Sequence, residues 1–86
     1  MNLAKYCIYT IANREWIDQA IQRGEGTRSE RKAWRTGLQR FNEATAAGER
    51  MPILLADSID ECWRLLAWGI LEKIDLDHGG TTYSIS

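Results

Sequence analysis

Between Arg28 and Thr45 the chain carries two residue sets that a single helix would place on opposite faces, and no other stretch limits the available folds as much. At a helical period, Trp34, Leu38, Phe41 and Thr45 recur at i, i+4, i+7 and i+11, with Gly37 and Ala44 beside them. Across from them, Arg28, Arg31, Lys32, Arg35 and Gln39 form a polar stripe with four positive charges. The apolar set predicts a helix docked on a core, and the basic set predicts a face for an anionic partner. Like charges at i,i+4 repel by roughly a few tenths of a kcal/mol per pair. Glu30 and Glu43, read as intrahelical partners, are too few to neutralise them.

Eighty-six residues suit one domain, residues 1–86, of small stability margin, on the order of 5 kcal/mol. A 44% share of hydrophobic residues, four tryptophans among them, is enough to close a core without staples. Cys7 and Cys62 lie in separate apolar segments and are expected to be reduced, buried thiols. No sustained apolar run follows Asn2 and Lys5, and none reaches the roughly 18 residues needed to span a bilayer. A cytoplasmic protein with no membrane partner is expected. The net charge of −1 gives no global attraction to nucleic acid, but its distribution is uneven. Residues 1–42 hold eight Lys/Arg and four Asp/Glu, a balance of +4, and residues 43–86 hold three and eight, a balance of −5.

Leu3–Ile11 (LAKYCIYTI) is apolar on both alternations and predicts an interior strand. Asn13 is placed to cap a short helix running to about Arg23, with Trp16, Ile17, Ala20 and Ile21 as its stripe. Gly24, Gly26 and Thr27 read as a loop before the basic helix, and Gly48 is placed to end that helix in a left-handed conformation. Pro52 opens a second buried strand, Ile53–Ala56. Ser58 and Glu61 have the spacing of a capping box, which predicts a third helix with Ile59, Cys62, Trp63 and Leu66 inward. Gly69–Leu76 and Thr81–Ser86 then read as an antiparallel hairpin across Asp77–Gly80. In Gly69–Leu76, alternation puts Glu72 beside Ile70 and Ile74 as an inward charge that either blunts an edge strand or sits at the mouth of a pocket.

The expected fold is therefore α+β in the order β-α-α-β-α-β-β, about four strands with three packed helices. Its C-terminal strand is expected at a sheet edge, open to pairing with a partner chain.

No catalytic, metal or cofactor signature emerges. His78 is the sole histidine, lies in a turn, and has no Ser or Cys placed near it. One His and two dispersed Cys lack zinc spacing. Asp75, Asp77 and Gly80 fit positions 1, 3 and 6 of a calcium loop, but Gly79 and Ser86 stand where ligands are needed. Gly24-Glu25-Gly26 follows a helix rather than a strand, so it is no dinucleotide fingerprint. The tryptophans fit core stripes, except that Trp68 leaves the Trp63 helical face; Trp68 and Tyr83 are the expected stacking platforms.

The segment Gly48–Ser86 (GERMPILLADS…LLAWGILEKIDLDHGGTTYSIS) resembles a PUA-like domain of the EVE or ASCH kind. The likeness lies in a Gly-led hydrophobic strand over Gly48–Leu55 and a G-I-h-x-x-I pattern over Gly69–Ile74. The resemblance implies a small β-barrel with flanking helices that binds RNA or modified bases in DNA through an aromatic-lined pocket with a basic rim. It assigns no individual residue here.

Together these readings predict a non-catalytic binding protein. Its expected site is Arg28, Arg31, Lys32 and Arg35 with Trp68 and Tyr83, and its expected partner is nucleic acid or an acidic protein surface. The alternative is an inhibitor of the kind carried by phages and mobile elements, similar to anti-CRISPR proteins. It would act through protein–protein binding by Asp57, Asp60, Glu61, Asp75 and Asp77.

Overall fold

The structure, a computed structural model, describes residues 2–59, 62–77 and 79–86. Five strands and two helices alternate as β1 (Ile8–Ile11), α1 (Arg14–Arg23), β2 (Gly26–Glu30), α2 (Arg35–Ala46), β3 (Met51–Ile59), β4 (Cys62–Asp77) and β5 (Gly80–Ile85). They form one mixed sheet in the order β1-β3-β4-β5-β2, with β1 parallel to β3 and every other pair antiparallel. The α+β class is as expected, but the count of three helices and four strands is not.

Two segments account for the difference. Residues 26–30, expected as a loop running into a helix, are a strand paired with β5 from Gly26↔Ile85 to Glu30↔Thr81. Long-range pairing overrides local helical spacing there. Thr27 and Ser29 reinforce it by hydrogen-bonding Ser84 and Thr82 across the strands, at 3.1 and 3.0 Å. The third helix is replaced by β4, a strand of 16 residues that pairs with β3 on one side and β5 on the other. Short apolar runs do not reveal their period, and ladders to β3 over residues 62–71 and to β5 over residues 71–77 supply backbone partners in place of helical ones. Register shifts at Leu55/Ala56 and Leu71/Lys73 break the alternation further.

Helix α1 follows its sequence signals closely; α2 ends where they place it but starts only at Arg35, not at the expected cap before Arg28. Asn13 Oδ1 accepts from the Glu15 N–H at 2.8 Å and the Trp16 N–H at 3.4 Å, and α1 ends at Arg23. Gly48, at φ +72°, closes α2: its N–H donates to Thr45 O at 3.1 Å and the Glu49 N–H to Ala44 O at 2.8 Å. This is a Schellman cap, and it turns the chain straight into β3.

The core lies between the helices and the concave face of the sheet. Ile17 and Ala20 of α1 meet Met51, Ile53 and Leu55 of β3, Leu71 and Ile74 of β4, and Tyr83 and Ile85 of β5. Leu38 and Phe41 of α2 pack at its margin, as the helical stripe predicts, whereas Thr45 is exposed. The first and last strands exchange their expected places. β1 is an edge strand, and β5 is interior, covered by β2, so the C-terminal strand offers no open edge to a partner chain. Glu72 is no inward edge charge either: it is exposed on an interior strand, pairs with Arg50 and accepts from Ser86 Oγ at 2.5 Å. Cys7 is an exposed free thiol rather than a core one.

Where β5 begins, backbone crowding sets the position of the β2 end. A Cβ on Gly80 would lie 2.7 Å from Glu30 O, against backbone that cannot move aside without unpairing the strands. Gly80→Ala is expected to lower stability by about 1–3 kcal/mol. A thermal melt within a degree of wild type would contradict that.

Candidate nucleic-acid interface

Although β1 and β2 occupy opposite ends of the strand order, their side chains touch. Thr10 Oγ1 donates to Glu30 Oε1 at 2.5 Å, so the sheet curls until its two free edges face each other. No ladder joins them. Between them lies a cavity of about 1180 Å³, bounded by Tyr6–Ile11 on one side and Arg28–Gly37 on the other, with Arg40 and Met51 completing its wall. Ligand pockets commonly span about 300–1,000 Å³, so this one has room for more than one small group.

Five cations line the cleft: Arg28, Arg31, Lys32, Arg35 and Arg40. The four predicted from the sequence are therefore brought together, though not by a common helix. Arg28 is on β2, Arg31 and Lys32 follow it in the connection, and Arg35 is the first residue of α2. These consecutive elements wrap around one end of the cleft. Thr81, only 2% exposed, fixes the connection by donating to Lys32 O at 2.7 Å and accepting from the Trp34 N–H at 2.9 Å. Arg31, Lys32 and Arg35 are exposed and make no ion pair among the described residues. Trp34 caps α2 without a side-chain bond, so that helix start, with its partial positive charge, also opens on the cleft.

Arg28 is held differently. Its Nη1 donates to Glu30 Oε1 at 2.5 Å and to Tyr83 Oη at 3.4 Å, and its guanidinium lies 6.0 Å from the centre of the Trp16 ring. Burial works against its charge, but the hydrogen bonds and fields of Tyr83 and Glu30 outweigh that and raise its pKa. Arg28 and Glu30 thus point two inward charges from an edge strand, a feature that discourages edge-to-edge pairing.

Tyr83 is fully buried, not a stacking platform. Its ring stacks on Trp34 at 4.7 Å and meets Trp16 edge-on at 6.2 Å, an aromatic cluster under the cleft. Burial pushes its phenol above the ordinary tyrosine range, with Arg28 opposing the shift and Glu30 adding to it. A raised folded-state pKa means stability is intact below the unfolded value of about 10 and declines as pH rises beyond it. Thermal melts from pH 9 to 12 should show this decline, and Tyr83→Phe should reduce it. An equal decline in both proteins would assign it elsewhere.

Trp68 is exposed, 64%, as expected, but it does not line the cleft. It lies on β4 in register with Leu54, whose other neighbour is Tyr9, on the outer face of the sheet. The aromatics that line the cleft are instead Tyr6, Tyr9 and Trp34, and Tyr6, 52% exposed, carries Arg40 4.1 Å from its ring centre. Sequence reading missed Tyr6, Thr10, Glu30 and Arg40; only Arg40 left a signal, as the next cation after Arg35.

The three described members of the acidic set do not gather. Asp57 is in register with Arg64 near the start of β4, whereas Asp75 and Asp77 lie at its far end and Asp75 pairs with Lys73 at 3.3 Å. Asp60, Glu61 and His78 lie outside the described residues. Among the described residues no group of His, Cys, Asp and Glu is arranged to hold a metal, and no helix is long and apolar enough to cross a membrane. Comparison with protein-family models, curated proteins and solved structures returned no match.

Proposed function

We propose that this protein is a non-catalytic binding protein that holds single-stranded nucleic acid, RNA in the first instance, in the cleft between its two sheet edges. One observation carries the reading: among the described residues, five cations face a single carboxylate around a cavity that also exposes the Tyr6 ring. Phosphates on the unpaired Arg31, Lys32 and Arg35 would fix the strand, and the open helix start of α2 would favour the same charges. Unpaired bases would enter the cleft, with Tyr6 and its stacked Arg40 as the flanking platform. A duplex fits less well, because groove reading requires a projecting helix or ribbon and these cations border a recess. The PUA-like resemblance points to the same ligand class. An acidic protein surface would satisfy the rim but gain nothing from Glu30.

The test is a fluorescence-anisotropy titration of an eight-nucleotide RNA, with duplex RNA and an acidic peptide as competitors. The reading expects the single strand to bind and neither competitor to displace it efficiently. Displacement by the acidic peptide alone would transfer the site to a protein partner, and no binding at low salt would remove the nucleic-acid reading.

A further inference from the structure

Glu30 is unexpected in this setting. Among the described residues it is the one carboxylate lining a cationic cleft, where it lowers the attraction for phosphate. Both of its hydrogen bonds fall on one oxygen: Oε1 accepts from Thr10 Oγ1 and from Arg28 Nη1, each at 2.5 Å. Oε2 has no partner among the described residues. It is not sealed in, since the side chain is 16% exposed and no fully buried side-chain polar atom lacks a partner. One carboxylate oxygen is thus immobilised by two donors, while the other, on a partly exposed side chain that lines the cleft, keeps both lone pairs available as an acceptor.

A second phosphate would be repelled there, and so would a carbonyl. An N–H would be welcomed. Within a nucleic acid, the strong donors on unpaired bases are the exocyclic amino groups of cytosine, adenine and guanine; uracil presents carbonyls on either side of its single N–H. Cytosine and uracil are the informative pair, because they match in size and charge and differ where Glu30 would read them. We propose that the open oxygen of Glu30 accepts a hydrogen bond from the exocyclic amino group of a base in the cleft, so that the protein prefers cytosine to uracil. This rests on the nucleic-acid reading above and adds the group that is read. Oε1 anchors the carboxylate to both sheet edges, so Oε2 is presented at a fixed depth without having to be ordered on binding.

The experiment compares octamers of cytidine, uridine and N4,N4-dimethylcytidine on the wild-type protein and on Glu30→Gln, at equal salt. Hydrogen bonds to charged groups that leave an unpaired partner when lost discriminate by about tenfold or more. Wild type is expected to bind cytidine at least that much tighter than uridine, and the dimethylated strand no better than uridine. Glu30→Gln is expected to bind both plain strands more tightly, one negative charge having gone, with the preference abolished or turned toward uridine. The wild-type comparison and the dimethylated strand need no variant, so a Glu30→Gln protein that fails to fold does not blunt the test. Equal wild-type affinity for cytidine and uridine, with Glu30→Gln tightening both by one factor, would reduce Glu30 to an edge-blunting charge and overturn the inference. Binding of none of the strands would overturn the nucleic-acid reading, and this inference with it.

Discussion

Replacing Arg31 and Arg35 together by alanine is expected to cut the salt dependence of RNA binding to about one third. For single strands the slope of log K against log salt is about −0.7 per phosphate neutralised. The three rim cations that hold the phosphates, Arg31, Lys32 and Arg35, correspond to a slope of about −2.1, or a loss of about 18-fold in affinity between 50 and 200 mM salt, Arg40 being paired with Glu43 at 3.6 Å. With two of them gone, the slope should fall to about −0.7, or about threefold over the same range. Reversing both charges to glutamate adds repulsion and is expected to abolish binding. Neither change should disturb the fold, because both side chains are exposed and form no ion pair among the described residues. An unchanged slope in the double alanine variant would place the phosphates elsewhere.

Loss of the Tyr83 ring should have the largest effect on stability. The ring is fully buried, stacked on Trp34 and in edge contact with Trp16, and belongs to the core shared by β3, β4 and both helices. Truncating a large buried aromatic to alanine costs about 3–5 kcal/mol. That approaches the whole margin of a domain this size, so Tyr83→Ala should be largely unfolded by circular dichroism at 25 °C. Tyr83→Phe keeps the stack and removes only the long Arg28 contact; its cost of about 1 kcal/mol should lower Tm by about 4–8 °C. Trp68→Ala, on the exposed outer face, should stay within about 0.5 kcal/mol of wild type. A folded Tyr83→Ala protein with a near-native melt would mean that the aromatic cluster does not hold the core together.

The parts legible in the sequence are those decided by local chemistry. Asn13 before the Trp16–Ala20 stripe and Gly48 after Ala46 and Ala47 mark helix ends through hydrogen bonds made within a few residues, and α1 and the end of α2 lie as they predict. The β4–β5 pairing is likewise close in sequence. By contrast, β2 owes its existence to β5, more than fifty residues away, and its inward side chains are Arg28 and Glu30, so no apolar alternation announces it. The Thr27/Ser29 alternation opposite Thr82/Ser84 was the available sign. In β4 the apolar residues fall on both faces and two register shifts blur the period, so helix and strand templates fit equally well.

The site was legible in part for a similar reason. Arg28, Arg31, Lys32 and Arg35 stand together because they are consecutive, and a strand end, a connection and a helix start keep them so. Their partners Tyr6, Thr10 and Glu30 join them only through the curl that brings two sheet edges into contact, which no local pattern encodes.

The most direct test of that cleft is amide and indole chemical-shift mapping as an eight-nucleotide single-stranded RNA is added to the 15N-labelled protein. Shifts are expected only at residues 6–11, 28–37 and 40 and at the Trp34 and Trp16 indoles, with the exposed Trp68 indole unmoved. Shifts centred on Trp68 and Leu54, or spread evenly over the surface, would contradict this expectation.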